Sequence, residues 1–506
     1  MPHSTSDLPP RRRFSSLLSA IPIQCLGLAA FFWVYHKLLV YWIRTVPLSL
    51  GDVTPHHDAA PLYADSEINL NLWLIPAIIV LTGFLLLCRK LFLERTLPRA
   101  GLFAISIVAF LLIGLSVAMI DGYREVNGQQ LPAFLEPYSR TKIEYYGDVP
   151  KVQQLGVGPI LRDYPKPELF STLSEHSRTH PPGGILFLWL VSKCFGYNLL
   201  SASLASIALT SLTVIPMYLL AKTLYGESVG RYTLPLFLLM PNFVMFATTS
   251  MDGPFSVFPI LSAYLFYKAL QGEAVVKDSR SIFVEQQTNT SLPLYATLTG
   301  IALGLGMFMT YSTVFMGVCF TVITVVTWFA DREQFKRTLT TLAIAGATFV
   351  AVYLFMFWLT GFNLLEALWA SIRKANAEVP RYETIGRYFY VGVANLCAFL
   401  IGCGIAMTTV WIQQVMINIR RAREGKGVDI YLMGYLISLL GFAFSTLYTM
   451  EVERQWMFMA PFIVIPVAKL LHDRCEIQRS VSAFYWVAGL SCLQLVAFEA
   501  TLDTYW

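Results

Sequence analysis

Ala118-Met119-Ile120-Asp121 is the point where an apolar run, 101–120, gives way to a polar stretch that lasts to Gly184. Within that stretch lie Glu144-Tyr145-Tyr146-Gly147-Asp148 and His176-Ser177-Arg178-Thr179-His180-Pro181-Pro182-Gly183-Gly184. Apolar runs of membrane length flank it on both sides. A run of about 20 apolar residues is what a helix needs to cross a hydrocarbon core roughly 30 Å thick. No water is present there to satisfy backbone groups, so such runs are helices. The junction therefore reads as the end of a membrane helix, with a long water-facing loop beginning at its rim.

The rest of the chain agrees. Of 506 residues, 56% are apolar and 14% charged, and the mean hydropathy of +0.56 is far above that of a soluble protein. About thirteen crossings are expected at this spacing, near 22–44, 71–92, 101–120, 199–221, 232–250, 254–270, 293–311, 313–330, 338–360, 388–412, 429–448, 457–472 and 481–499. The fold class is all-α and polytopic. The segment Ile185–Phe195 is too short for a relaxed crossing and is expected to lie on or dip into the outer leaflet.

Orientation follows from the basic loops. Arg11–Arg13, then Arg89, Lys90, Arg95 and Arg99, and later Arg420, Arg421, Arg423 and Lys426, among others, can all be cytoplasmic together. The loop 45–70 then faces outward with Asp52, Asp58, Asp65 and Glu67, as does the loop 121–184. The N-terminal apolar run lacks a signal-peptide cleavage pattern and is read as a retained helix. The sequon Asn289-Thr290-Ser291 falls in a cytoplasmic segment and is read as chance. Eight cysteines sit in or beside apolar runs without a CxxC pair, which suits packing rather than disulfides. The net charge of +5 reflects loop placement and gives no reason to expect nucleic acid as a partner.

Four outward elements carry the polar chemistry. The first is the loop 121–184. There Glu144 and Asp148 are four apart, His176 and His180 share that spacing, and Pro181-Pro182 ends any helix after them. Asp121 follows directly on a helix end. Each acid alone reads as a solvated loop residue, but so many charges beside a membrane call for a role. The second is the turn Thr248–Pro254, where Asp252 sits between two apolar runs and is either a helix cap or a functional acid. The third is Phe362–Arg387, whose Leu364, Leu365, Leu368, Trp369 and Ile372 recur at helical spacing, so that it reads as an interfacial helix. The fourth is Glu451-Val452-Glu453-Arg454. Its arginine matches the two oxygens of a phosphate, unless it pairs only with a glutamate of its own turn. Two metal readings arise: zinc on His176-x-x-x-His180, which lacks a third ligand, and a hard divalent cation (Mg or Mn) between Asp148 and Asp252.

These residues resemble the GT-C glycosyltransferases, in the branch around protein O-mannosyltransferases and lipid A aminoarabinose transferases. The counterparts are Glu144–Asp148, Thr179-His180-Pro181-Pro182-Gly183, and the stretch Gly226–Asp252 with Pro241-Asn242-Phe243 inside it. The resemblance runs from about residue 101. It implies a GT-C bundle over 101–506 with the outer loop 121–184, preceded by a cytoplasmic tail and two extra membrane helices in 1–100. It also implies a mannosyltransferase-like cell-envelope enzyme, placed in a bacterial inner membrane. That enzyme moves a sugar from a polyprenyl phosphate to an acceptor hydroxyl, with inversion, on the non-cytoplasmic side. Asp148 is the implied base, with Asp121 and Glu144 as the other acids. Arg178, His180, Arg454 and His176 would face the donor phosphate, with Asp252 and Glu453 beside them. The family's adjacent Asp-Glu pair is absent in that form, since Gly122 follows Asp121. Two other readings compete: a polytopic transporter, although transporters usually gather polar residues at mid-depth with broken helices, and a non-catalytic relative that keeps the bundle and binds a lipid.

Overall fold

The computed structural model describes residues 21–45, 59–94, 97–126, 128–271, 291–378, 385–445 and 451–503. Arg11–Arg13, Asp52, Asp58, Arg95 and the sequon at Asn289 lie outside these. Among the described residues the chain is a bundle of helices with two small antiparallel ladders. Tyr123–Val126 pairs with Gln129–Pro132, and Asp65–Ser66 pairs with Leu502–Asp503 in the register Asp65 to Asp503.

Among the described residues each stretch expected to cross holds a helix, though not every helix is a full crossing by length and composition. Eight described helices are long and apolar enough: Ile21–Tyr41, Leu74–Leu93, Arg99–Asp121, Leu199–Tyr225, Leu292–Met309, Tyr311–Ala330, Arg332–Thr360 and Ser482–Thr501. Two bent pairs raise the number to ten if each is one span. The chain is thus an all-α polytopic membrane protein. Ile430–Ala443 is shorter, and prolines and polar residues lower the apolarity of Asp252–Leu270 and Ala460–Gln478. Each of these two has 19 residues, a length of roughly 28 Å at about 1.5 Å per residue.

The bent pairs change the expected picture. The run near 388–412 is two helices, Ile385–Gly402 and Ile405–Arg423, turned by 113°. Glu227–Phe237 and Pro241–Thr249 are turned by 61°. The two breaks meet. A side chain on Gly402 would come within 3.0 Å of Glu453 Cβ and 3.3 Å of Asn242 Cβ, and Gly404, at φ 101°, faces the Pro241 ring. Backbone groups freed by the first break are satisfied by Gln494, which accepts from Ile405 N (2.7 Å) and donates to Ile401 O (2.8 Å). Such rescue is what allows a helix to break inside an apolar bundle.

The basic loops collect at one end. There Arg99 and Lys222 pair with Glu227, and Tyr225 donates to Asp429. The opposite end holds the segment 121–184 as the hairpin and a series of short helices, among them Glu136–Ser139, Val149–Leu155, Val157–Asp163 and Glu175–Thr179. The helix Gly183–Phe195 stays at this end. Its start abuts Phe308, and Tyr197, just past its end, stacks on Tyr146 with ring centres 4.4 Å apart. The first two helices share a continuous apolar core with the last ones, Cys25 and Phe84 lying in the same cluster as Val487 and Leu495. Burial of that face is what fixes their position.

Candidate active site

Elements distant in sequence line one cavity of about 80 Å³ at the loop-rich end: Glu144, Tyr145, His176, Thr179, His180, Ser250, Met251, Asp252, Phe255, Glu451, Arg454 and Gln455. Local chemistry explains how each arrives. Glu144 ends a tight turn in which its N–H donates to Arg140 O (2.8 Å). His176 sits in the helix Glu175–Thr179, stopped by Pro181 and Pro182. Gly183 and Gly184 let that proline corner press against the bundle, since a side chain on Gly183 would meet Phe308 O at 2.2 Å. Asp252 opens the helix Asp252–Leu270, where its charge favours the positive helix end. The turn Glu451–Gln455 hangs on a left-handed Glu451, φ 58°.

The charges pair across these elements. His176 Nδ1 lies 3.1 Å from Glu144 Oε1. Arg454 bridges Asp252, at 3.3 Å through Nε, and Glu451 through Nη2. Burial alone would lower the His176 pKa, but the Glu144 carboxylate overrides it and the net shift is upward. Burial likewise opposes charge on Glu144, yet His176, Arg454 and Arg140 hold its pKa below the usual value. His180 behaves differently. Burial takes its pKa down to about 4, so it is neutral at pH 7. Its Nδ1 is 3.2 Å from His176 O, and the tautomer that donates there leaves Nε2 as an acceptor.

Of the residues expected from the sequence, Glu144, His176, His180, Asp252 and Arg454 come together in this cavity. Four do not line it. Asp148 is buried with both oxygens taken, by Lys151 Nζ at 2.7 Å and Ser174 N at 2.9 Å. Arg178 turns to Glu175, which also meets Lys374 at 3.2 Å. Asp121 joins a separate network, with Arg124 at 3.4 Å and Asn69 at 2.9 Å, and Arg124 continues to Glu136 and Asp503. Glu453 points away from the cavity to Tyr63 N, 2.7 Å. Among the residues that line it without having been expected as site residues are Glu451 and Ser250. Glu451 was signalled only by its i, i+3 spacing to Arg454.

The metal readings find little support in the donor set. Each cavity carboxylate already faces a cationic partner, Asp148 and Asp252 do not share the cavity, and His180 lies just beyond its short helix. Among the described residues no group of three or more His, Cys, Asp or Glu is arranged to hold a metal.

Residues 179–358 match the family model of dolichyl-phosphate-mannose-protein mannosyltransferases. The match opens on Thr179-His180-Pro181-Pro182-Gly183 and includes Asp252, two of the features that carry the GT-C resemblance. Three solved structures are also similar, each with a TM-score of 0.48. One is the Archaeoglobus fulgidus oligosaccharyltransferase complex with Zn and sulfate, 12% identical over 78% of this chain and 53% of that one. Another is the archaeal oligosaccharyltransferase AglB from the same organism with an inhibitory peptide and a dolichol-phosphate, 11% identical over 79% and 56%. The third is ArnT from Cupriavidus metallidurans in the apo state, 13% identical over 80% and 78%. The chain spans a little over half the length of the archaeal oligosaccharyltransferases it matches. No curated protein matches it.

Proposed function

We propose that the chain is a membrane glycosyltransferase that moves a sugar from a polyprenyl-phosphate donor to an acceptor hydroxyl, with inversion, at the non-cytoplasmic face. The observation that carries this reading is the convergence of Glu144, His176, His180, Asp252 and Arg454 on one cavity at the end of the bundle opposite the basic loops. The donor's polyprenyl tail stays in the bilayer beside the cavity and its phosphate enters from the rim.

Glu144 is the base we assign, in place of Asp148. It is ionised at neutral pH and faces the cavity, whereas Asp148 has no free oxygen there. The acceptor O–H gives its proton to Glu144, its oxygen bonds to the anomeric carbon, and the bond from that carbon to the phosphate oxygen breaks. The lipid phosphate leaves with the electron pair. Arg454 balances the growing charge, as a fixed cation does in a site of low polarity, and His176, whose pKa the Glu144 carboxylate raises, adds to it in its protonated form. His180 is neutral and serves as a hydrogen-bond partner, not as a cation. Asp252 and Glu451 hold the guanidinium of Arg454 in place. A catalytic unit within 101–506, with 1–100 as an addition, is the domain division that fits this assignment.

The test is incubation of the purified protein with a panel of polyprenyl-phosphate sugars and mass spectrometry for released lipid phosphate. Uptake or flipping of a solute in vesicles with no glycosidic bond formed would replace this reading with transport.

A further inference from the structure

Glu453 stands next to Arg454 in the four-residue helix Val452–Gln455, yet it is buried on the other side of the turn. It lines a small gap with Leu62, Ala64, Asn242, Gly402 and Phe498. Four parts of the chain close on it. Tyr63 N donates to its carboxylate at 2.7 Å, Asn242 Nδ2 donates to its carbonyl at 3.0 Å, and Gly402 leaves room for its side chain and no more. The fourth is the site turn itself. The donor at Tyr63 comes from the loop between the first two helices. That loop is closed by Ala59 N to Ala64 O (3.2 Å) and pinned just beyond by the ladder with Leu502–Asp503. Leu62 and Ala64 of this loop are themselves buried.

We propose that Glu453 is a positioning residue for Arg454, and that the loop 59–64 of the N-terminal helices reaches the donor phosphate through it. This rests on the reading above, in which Arg454 faces that phosphate. The mechanism is mechanical. A four-residue helix has no stability of its own, so the direction of Arg454 is set by what grips the residue before it. Glu453 Oε2 and Asn242 Oδ1 are buried without a donor. A charged carboxylate is costly in such a place, and burial raises the Glu453 pKa to about 7. Glutamine therefore preserves both its shape and its acceptor for Tyr63 N.

The test uses the full chain in nanodiscs. E453A removes the grip from one side, and Y63P removes the N–H from the other. Both are expected to raise the donor KM about tenfold, while acceptor KM and melting temperature stay near wild type. E453Q is expected to bring the donor KM back to within twofold. An unchanged donor KM in E453A and Y63P, or equal rises for donor and acceptor, or failure of E453Q to restore, overturns the proposal. If E453A does not fold, Y63P carries the same comparison. Absence of transfer by the wild type with every lipid-phosphate sugar sinks the functional reading instead. Equilibrium binding of polyprenyl phosphate then decides this one, with tenfold weaker binding in E453A expected and equal binding overturning it.

Discussion

Glu144 and His176 define each other's charge. Glu144→Gln removes the proton acceptor and should cut transfer at least a hundredfold, within the usual range for a positioned base, while donor binding persists. Retained turnover in a folded Glu144→Gln variant would refute the assignment. The pair also sets a pH window. Its contribution is full above the ordinary Glu pKa and is lost as pH falls through the depressed value of Glu144. At the other limb, His176 is raised, so the contribution is full below its ordinary value near 6.5 and is lost as pH rises through the folded one. His176→Gln should therefore abolish the alkaline limb of the activity profile. Arg454→Lys keeps the charge but not the fork that spans Asp252 and Glu451, and is expected to lose at least tenfold in kcat/KM.

At the level of elements, the corner Pro181-Pro182-Gly183-Gly184 and the break Gly402–Gly404 do the positioning. Gly183→Ala drives a methyl group into Phe308 O at 2.2 Å. Overpacking of this kind costs about 1–3 kcal/mol. A lower melting temperature in detergent, with a larger fall in activity because His180 is displaced, is the expected result. The helix Leu364–Glu378 forms as its apolar spacing indicates and presents Leu365 and Trp369 outward. Lys374 meanwhile ties it to the short helix that carries His176. The corner was legible from its prolines. The 113° turn was not, because the apolar run continues through Cys403 and Ile405 and hydropathy records composition, not direction.

Across the whole molecule, Arg124 binds the start of the loop segment to the C-terminus through Asp121, Glu136 and Asp503. Arg124→Ala leaves the buried Asp121 without its cation. Breaking a buried pair on one side costs about 3–5 kcal/mol, so loss of thermal stability should exceed that of an exposed arginine such as Arg89. Sequence alone determined the all-helical membrane class, the polar segment 121–184 and the residue types of a charged site, because the cost of backbone and charge in hydrocarbon is written in composition and run length. It also identified the arginine and both histidines of the cavity. Which carboxylate faces that cavity was decided only by the tertiary structure. Glu144 and Asp148 are four residues apart and chemically alike, a spacing that puts both on one face if the stretch is helical. The chain instead makes a tight turn at Glu144 and seats Asp148 on Lys151 and Ser174 N. The direction of a side chain there depends also on Ser174 and His176, more than twenty residues away, and no local pattern encodes those contacts.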